Sequence, residues 1–159
     1  MSSKSRFIAE TSVLAATYAA LVWLLQPISF REVQFRVADM LVGLVPVLGW
    51  SGIWGITLGV LIGNLASPLG PIDLISAIPT FIGAWLIWKL REKSVFLGLT
   101  LYSAVVSAWV GYALWITFNV PLLLGTVYVF IGVEAASGVG GYIVYRLVKE
   151  KLVEIVGNR

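Results

Sequence analysis

The chain has 159 residues, of which 59% are apolar and 12% charged, where a soluble domain carries roughly 25% charged residues. A mean hydropathy of +0.95 and three runs without Asp, Glu, Lys or Arg, residues 11–30, 40–72 and 94–133, exclude an ordinary soluble protein and predict an all-α integral membrane protein. Cysteine and histidine are both absent, so disulfides, thiolate metal sites and histidine-based catalysis are excluded, and the available ionisable chemistry is that of carboxylates, Lys and Arg.

A bilayer core about 30 Å thick needs roughly 20 apolar residues as a helix, which divides the chain into six spans. The first is expected over residues 7–25, stopped by Gln26-Pro27, because proline lacks the N–H a continuing helix needs. The basic start and apolar run of Met1–Leu25 also suit a secretory signal peptide, but no small-residue cleavage site follows them, and the stretch is read as a span. A second helix is expected over 34–48, and the glycine-rich Gly49-Trp50-Ser51-Gly52 breaks it from a third over 53–66. The turn Ser67-Pro68-Leu69-Gly70-Pro71 leads to a fourth over 72–90, and the charged Arg91-Glu92-Lys93 to a fifth over 94–117. Asn119-Val120-Pro121 then separates a sixth over 122–147. Residues 1–148 thus form a single transmembrane domain, and 149–159 a polar, helical cytoplasmic tail.

Six spans put both termini on one side. Nine of the eleven basic residues (Lys4, Arg6, Lys89, Arg91, Lys93, Arg146, Lys149, Lys151 and Arg159) then share that side, which the positive-inside rule makes cytoplasmic. A five-span chain, with 40–72 as one kinked helix, would put the basic tail opposite the basic N-terminus and is rejected. Basic residues gathered at helix ends account for the net charge of +3 without nucleic acid, and the expected location is the cytoplasmic membrane. No Gly-x-x-x-x-Gly-Lys-Ser/Thr loop occurs, so any ATP is bound by another subunit and the chain itself needs no cofactor.

The polar residues inside the spans carry the functional signal. Glu134 lies roughly 15–20 Å below the outer end of the sixth helix, where a charge costs at least about 2.5–3.5 kcal/mol unless it meets a partner or a cavity. Glu32, Arg36 and Asp39 can share a helix face at the outer start of the second helix, either as a ligand site or as a self-satisfied interfacial ion pair. Gln34 offers a donor and an acceptor with no need of a counter-ion. Asn64 and Asp73 flank the Pro/Gly turn, where both also suit helix ends, as a C-terminal Asn and a first-turn carboxylate. Trp109 and Tyr112, three apart, are either a stacking surface for a planar ligand or a packed aromatic pair. Ala15, Ala16, Ala19 and Ala20 form two overlapping Ala-x-x-x-Ala pairs that let another helix approach closely, within the bundle or from another subunit.

Val33-Gln34-Phe35-Arg36-Val37-Ala38-Asp39-Met40-Leu41, then Gly55-Ile-Thr-Leu-Gly59-Val-Leu-Ile-Gly63-Asn64-Leu65 and Pro68-Leu-Gly-Pro-Ile-Asp73, resemble the QueT family, small membrane proteins regarded as S-components of energy-coupling-factor (ECF) transporters for queuosine precursors. The resemblance covers residues 8–90 well, and in the last third Ile131-Gly132-Val133-Glu134 is similar to the family's acidic final helix. Asp39 keeps, one methylene shorter, the carboxylate of the family's Ser-Glu-Ala. Ser76-Ala77-Ile78-Pro79-Thr80 replaces its Gly-Ser-Leu-Ala-Thr, with a proline expected to kink the fourth helix.

The resemblance implies a six-helix S-component-like bundle whose alanine pairs dock on a transmembrane scaffold subunit bound to two ATPases. It also implies a 7-deazaguanine substrate, such as the 7-cyano or 7-aminomethyl compound or queuine. A carboxylate, Glu134 or Asp73, would read its N–H/NH₂ edge. Gln34 or Asn64 would read its carbonyl and Trp109 or Tyr112 its flat face, with Asp39 countering an aminomethyl cation. The competing expectations are a proton-coupled secondary transporter using Glu134 and an intramembrane enzyme using Asp39, Asp73 and Glu134. The enzyme is disfavoured because Glu134 lies deeper than the other two carboxylates.

Overall fold

The computed structural model describes residues 3–26 and 35–157, with side chains through residue 151. Six helices and no strand occur among the described residues. They are α1 (Ser3–Leu24), α2 (Val37–Leu48), α3 (Trp50–Ala66), α4 (Gly70–Leu90), α5 (Val95–Phe118) and α6, a continuous rod of three segments, Leu122–Val133, Glu134–Gly140 and Gly141–Gly157. Four of them, α1, α4, α5 and α6, are long and apolar enough to cross a membrane, and α2 and α3 are shorter apolar helices.

Where the helices depart from the expected ones, the backbone supplies the reason. The break between α2 and α3 takes one residue, Gly49, whose φ of 61° and ψ of −128° lie where a side chain is strained, and α3 therefore starts at Trp50 rather than at residue 53. Residues Val37–Leu44 of α2 and Gly70–Ser76 of α4 are wound as 3₁₀ helix, tighter than expected. Pro79 falls in the first turn of the α-helical part of α4, Ala77–Leu90, where a missing N–H is tolerated. Ser94 caps α5 by accepting the Leu97 N–H at 3.2 Å. Asn119, left-handed at φ 55°, ends α5 two residues before Pro121. No break separates a tail from α6, which continues to Gly157.

The helices pack through small residues, as expected where lipid offers no hydrophobic incentive for them to associate. Helices α1 and α3 run parallel in a fixed register, in which Leu14, Tyr18 and Val22 seat against Gly55, Gly59 and Gly63. A Cβ on Gly59 would lie 2.6 Å from the Tyr18 Cβ. Thr11 Oγ1 donates to Ser51 O at 3.3 Å and Trp23 Nε1 to Gly63 O at 3.1 Å, which carries the same register along both helices. Trp50 faces Trp88 and Trp54 faces Phe81, which sets α4 antiparallel to α3. Phe96 faces Tyr142 and Ser103 meets Ser137, which sets α6 antiparallel to α5. Gly43 of α2 lies directly on the backbone of Gly141 in α6.

This up-and-down arrangement collects Lys4, Arg6, Lys89, Arg91, Lys93, Arg146 and Lys149 at one end of the bundle. The ends of α1, α3 and α5 at Leu24, Ala66 and Phe118 lie at the other. Many outward-facing side chains are apolar, among them Leu24 and Leu123, both 78% exposed. That surface suits lipid and not water.

Candidate substrate site

Among the described residues, the buried charged side chains, Arg36, Asp39 and Asp73, gather in one cluster toward the less basic end. Asp73, fully buried in the 3₁₀ start of α4, accepts the Ser76 hydroxyl at Oδ1 (2.5 Å) and the Arg36 guanidinium at Oδ2 (3.5 Å). The tight 3₁₀ winding is what lets Ser76 reach a carboxylate three residues behind it, because i and i+3 side chains eclipse there. Ser76 Oγ in turn accepts the indole N–H of Trp109 from α5 at 2.9 Å. Asn64, at the end of the α-helical part of α3, donates through Nδ2 to the Asp73 carbonyl at 2.9 Å, tying the two sides of the Pro/Gly turn together, while its buried Oδ1 has no hydrogen-bond donor among the described residues.

Asp39, one turn along α2 from Arg36, is buried and accepts the hydroxyl of Tyr18 from α1. Tyr18, Arg36, Asp39, Ser76, Thr80 and Tyr102 surround a small cavity together with valines of α3, α5 and α6. Its free space is about 10 Å³, enough for about one water molecule. Arg36 and Asp39 line the cavity, and Asp73 stands behind Ser76, so the cluster as a whole holds two carboxylates and one guanidinium among the described residues. Ionised groups this far inside are kept only where each finds partners.

Of the residues singled out in the sequence, Arg36, Asp39, Asn64, Asp73 and Trp109 come together here. Gln34 lies outside the described residues. Tyr112 packs at a 46° tilt against Trp109, ring centroids 5.9 Å apart, and at 41% exposed lies on the outer side of the cluster. Trp115 continues this aromatic ladder at a further 5.9 Å.

Glu134 is not brought into the cluster. It opens the π-helical segment of α6 and accepts the Thr100 hydroxyl at 2.8 Å, with its carboxyl over the bare Cα of Gly138 and its second oxygen, Oε2, buried without a partner among the described residues. The widened π turn also sets Ser137 against Ser103 at 2.7 Å.

Sequence reasoning missed Tyr18, Ser76, Thr80 and Tyr102. The available signal was a tyrosine in the middle of a charge-free span, since a buried phenol needs a hydrogen-bond partner. The alanines divide by face: Ala15 and Ala19 are buried against the bundle, 5% exposed each, and only Ala16 and Ala20 point outward.

Four apolar helices of membrane-crossing length around one buried charged cluster define a multi-pass membrane protein with a polar interior site. The chain belongs to the QueT transporter family, whose model matches residues 8–150. No curated protein and no solved structure matches it.

Proposed function

We propose that the chain is the substrate-binding S-component of an ECF-type, ATP-driven importer in the cell membrane, and that its substrate is a 7-deazaguanine precursor of queuosine. In this reading six helices span the bilayer, both termini are cytoplasmic, and the chain itself is neither an enzyme nor an ATPase. A scaffold subunit and two ATPase subunits supply the energy. Membership of a transporter family supports transport, and the concentration of basic residues at one end of the bundle supports the orientation.

The observation that carries the substrate class is the meeting of Asp73, Asp39 and Arg36 with Asn64 and Trp109 in one buried cluster. A 7-deazaguanine offers an N–H/NH₂ edge for a carboxylate, a carbonyl for a guanidinium or amide donor, and a flat face for an indole. The buried Asn64 Oδ1 is an acceptor with no donor among the described residues. The excess carboxylate favours the aminomethyl compound, whose ammonium group would meet Asp39. A bicyclic base needs far more than the present free space, so the walls separate on binding.

The surface for the scaffold is the outward face of α1, where Ala9, Ser12, Ala16 and Ala20 are all small and exposed. The test is calorimetric or thermal-shift binding of 7-cyano-7-deazaguanine, 7-aminomethyl-7-deazaguanine, queuine and guanine to the purified protein and to Asp39→Asn. Tight binding of a deazaguanine, with the aminomethyl compound losing most in the variant, is expected. Absence of binding by all four overturns the substrate. Accumulation driven by a proton gradient without the ATPase subunits overturns the S-component reading.

A further inference from the structure

At the basic end, the start of α5 and residues 142–150 of α6 enclose an open groove of about 650 Å³, lined among others by Arg91, Lys93, Phe96, Tyr142, Arg146 and Lys149. Four cations face one lining carboxylate, Glu150, which is paired with Arg146 at 3.4 Å. Arg91 is fixed in place: its Nη1 donates to the Trp88 carbonyl at 2.8 Å, its Nη2 meets Glu92 at 3.1 Å, and its guanidinium lies 4.4 Å over the Trp88 ring. Lys149 lies 5.7 Å over the Tyr145 ring. The first turn of α5 opens on the groove through Ser94 and Val95, and its positive dipole end adds to the same field.

Next in sequence to the lining residues Phe96, Tyr142 and Arg146 come exposed apolar side chains, Leu97, Ile143 and Leu147, at 49%, 50% and 56%. A cationic pocket ringed by tyrosines above a hydrocarbon-facing wall complements an amphiphile, with a negative head for the cations and a tail for the wall. A free anion would leave the wall without a role. We infer that the groove binds the phosphodiester headgroup of an anionic phospholipid, with the acyl chains along α5 and α6. The inference needs only that the chain spans a membrane and is independent of the substrate read at the other end.

The experiment reconstitutes the protein in nanodiscs of phosphatidylcholine mixed with phosphatidylglycerol and counts co-retained lipid by native mass spectrometry after transfer to detergent. Phosphatidylglycerol is expected to be retained in preference to phosphatidylcholine, and Lys93→Gln/Lys149→Gln, both exposed, to lower that preference by about five-fold per lysine. Glu150→Gln, which removes the one lining carboxylate, is expected to raise it. Equal retention of the two lipids, or an unchanged preference in the double lysine variant, overturns the inference. So does thermal stabilisation by inorganic phosphate in pure phosphatidylcholine that matches the effect of phosphatidylglycerol, which would assign the groove to a free anion.

Discussion

Arg36 and Asp73, 37 residues apart in the chain, meet at 3.5 Å in the interior, from the start of α2 and the 3₁₀ turn of α4. Both charges are buried, so neither can turn to water if the other is removed. Asp73→Asn keeps the shape and removes the charge, and breaking a buried pair from one side costs about 3–5 kcal/mol. A marked fall in melting temperature is expected in detergent, together with loss of deazaguanine binding; a variant as stable as the parent would show that the pair is not ionised as drawn.

Trp109 touches Asp73 only through Ser76, which accepts the indole N–H and donates to the carboxylate. Trp109→Phe retains the ring and deletes the donor, so affinity should fall by about 0.5–1.5 kcal/mol, the worth of one neutral hydrogen bond. Tyr112→Phe, on the outer side of the cluster, should leave affinity unchanged. Calorimetry on both variants measures what the indole N–H adds, since each keeps an aromatic ring.

Glu134 pairs with Thr100 outside the cluster. In Glu134→Gln, substrate affinity should stay within about two-fold of the parent, whereas Asp39→Asn should lose at least about 1.5 kcal/mol, the low end for a hydrogen bond to a charged group. An equal loss in both variants would place Glu134 at the ligand.

Gly59 faces Tyr18 so closely that an added Cβ would lie 2.6 Å from the tyrosine's own. Gly59→Ala should therefore destabilise the bundle by about 1–3 kcal/mol, the usual cost of overpacking. Because Tyr18 also holds Asp39, the same change should weaken substrate binding. Thermal unfolding and calorimetry on one preparation test both.

The two faces of the α1 alanine run predict opposite phenotypes. Ala16→Leu and Ala20→Leu, on the outward face, should leave folding and substrate binding intact and abolish co-purification with the scaffold subunit. Ala15→Leu and Ala19→Leu, on the buried face, should lower the melting temperature of the isolated protein.

The helices themselves were legible because their determinants are local. Charge-free runs of membrane length, Pro121 and Ser94 at helix ends, Gly49 at a one-residue turn and basic residues at alternate connections all act over a few positions. Those signals marked the ends of the described helices to within about four residues except in α6, which runs past the expected residue 147 to Gly157 without a break. They also made Arg36, Asp39, Asn64 and Asp73 conspicuous as polar residues in an apolar chain.

Only the tertiary structure decided which polar residues share the interior. In a soluble helix the apolar stripe marks the inner face, but here the lipid-facing side is as apolar as the core, so the 3.6-residue period carries little information about orientation. Glu134, one residue along from the cavity-lining Val133, turns to Thr100 instead. Tyr18, unremarkable among the alanines of α1, reaches Asp39 because the glycines of α3 let its helix come close. Composition and punctuation set the helices, and close packing at glycines set the rotation of each helix and hence the site.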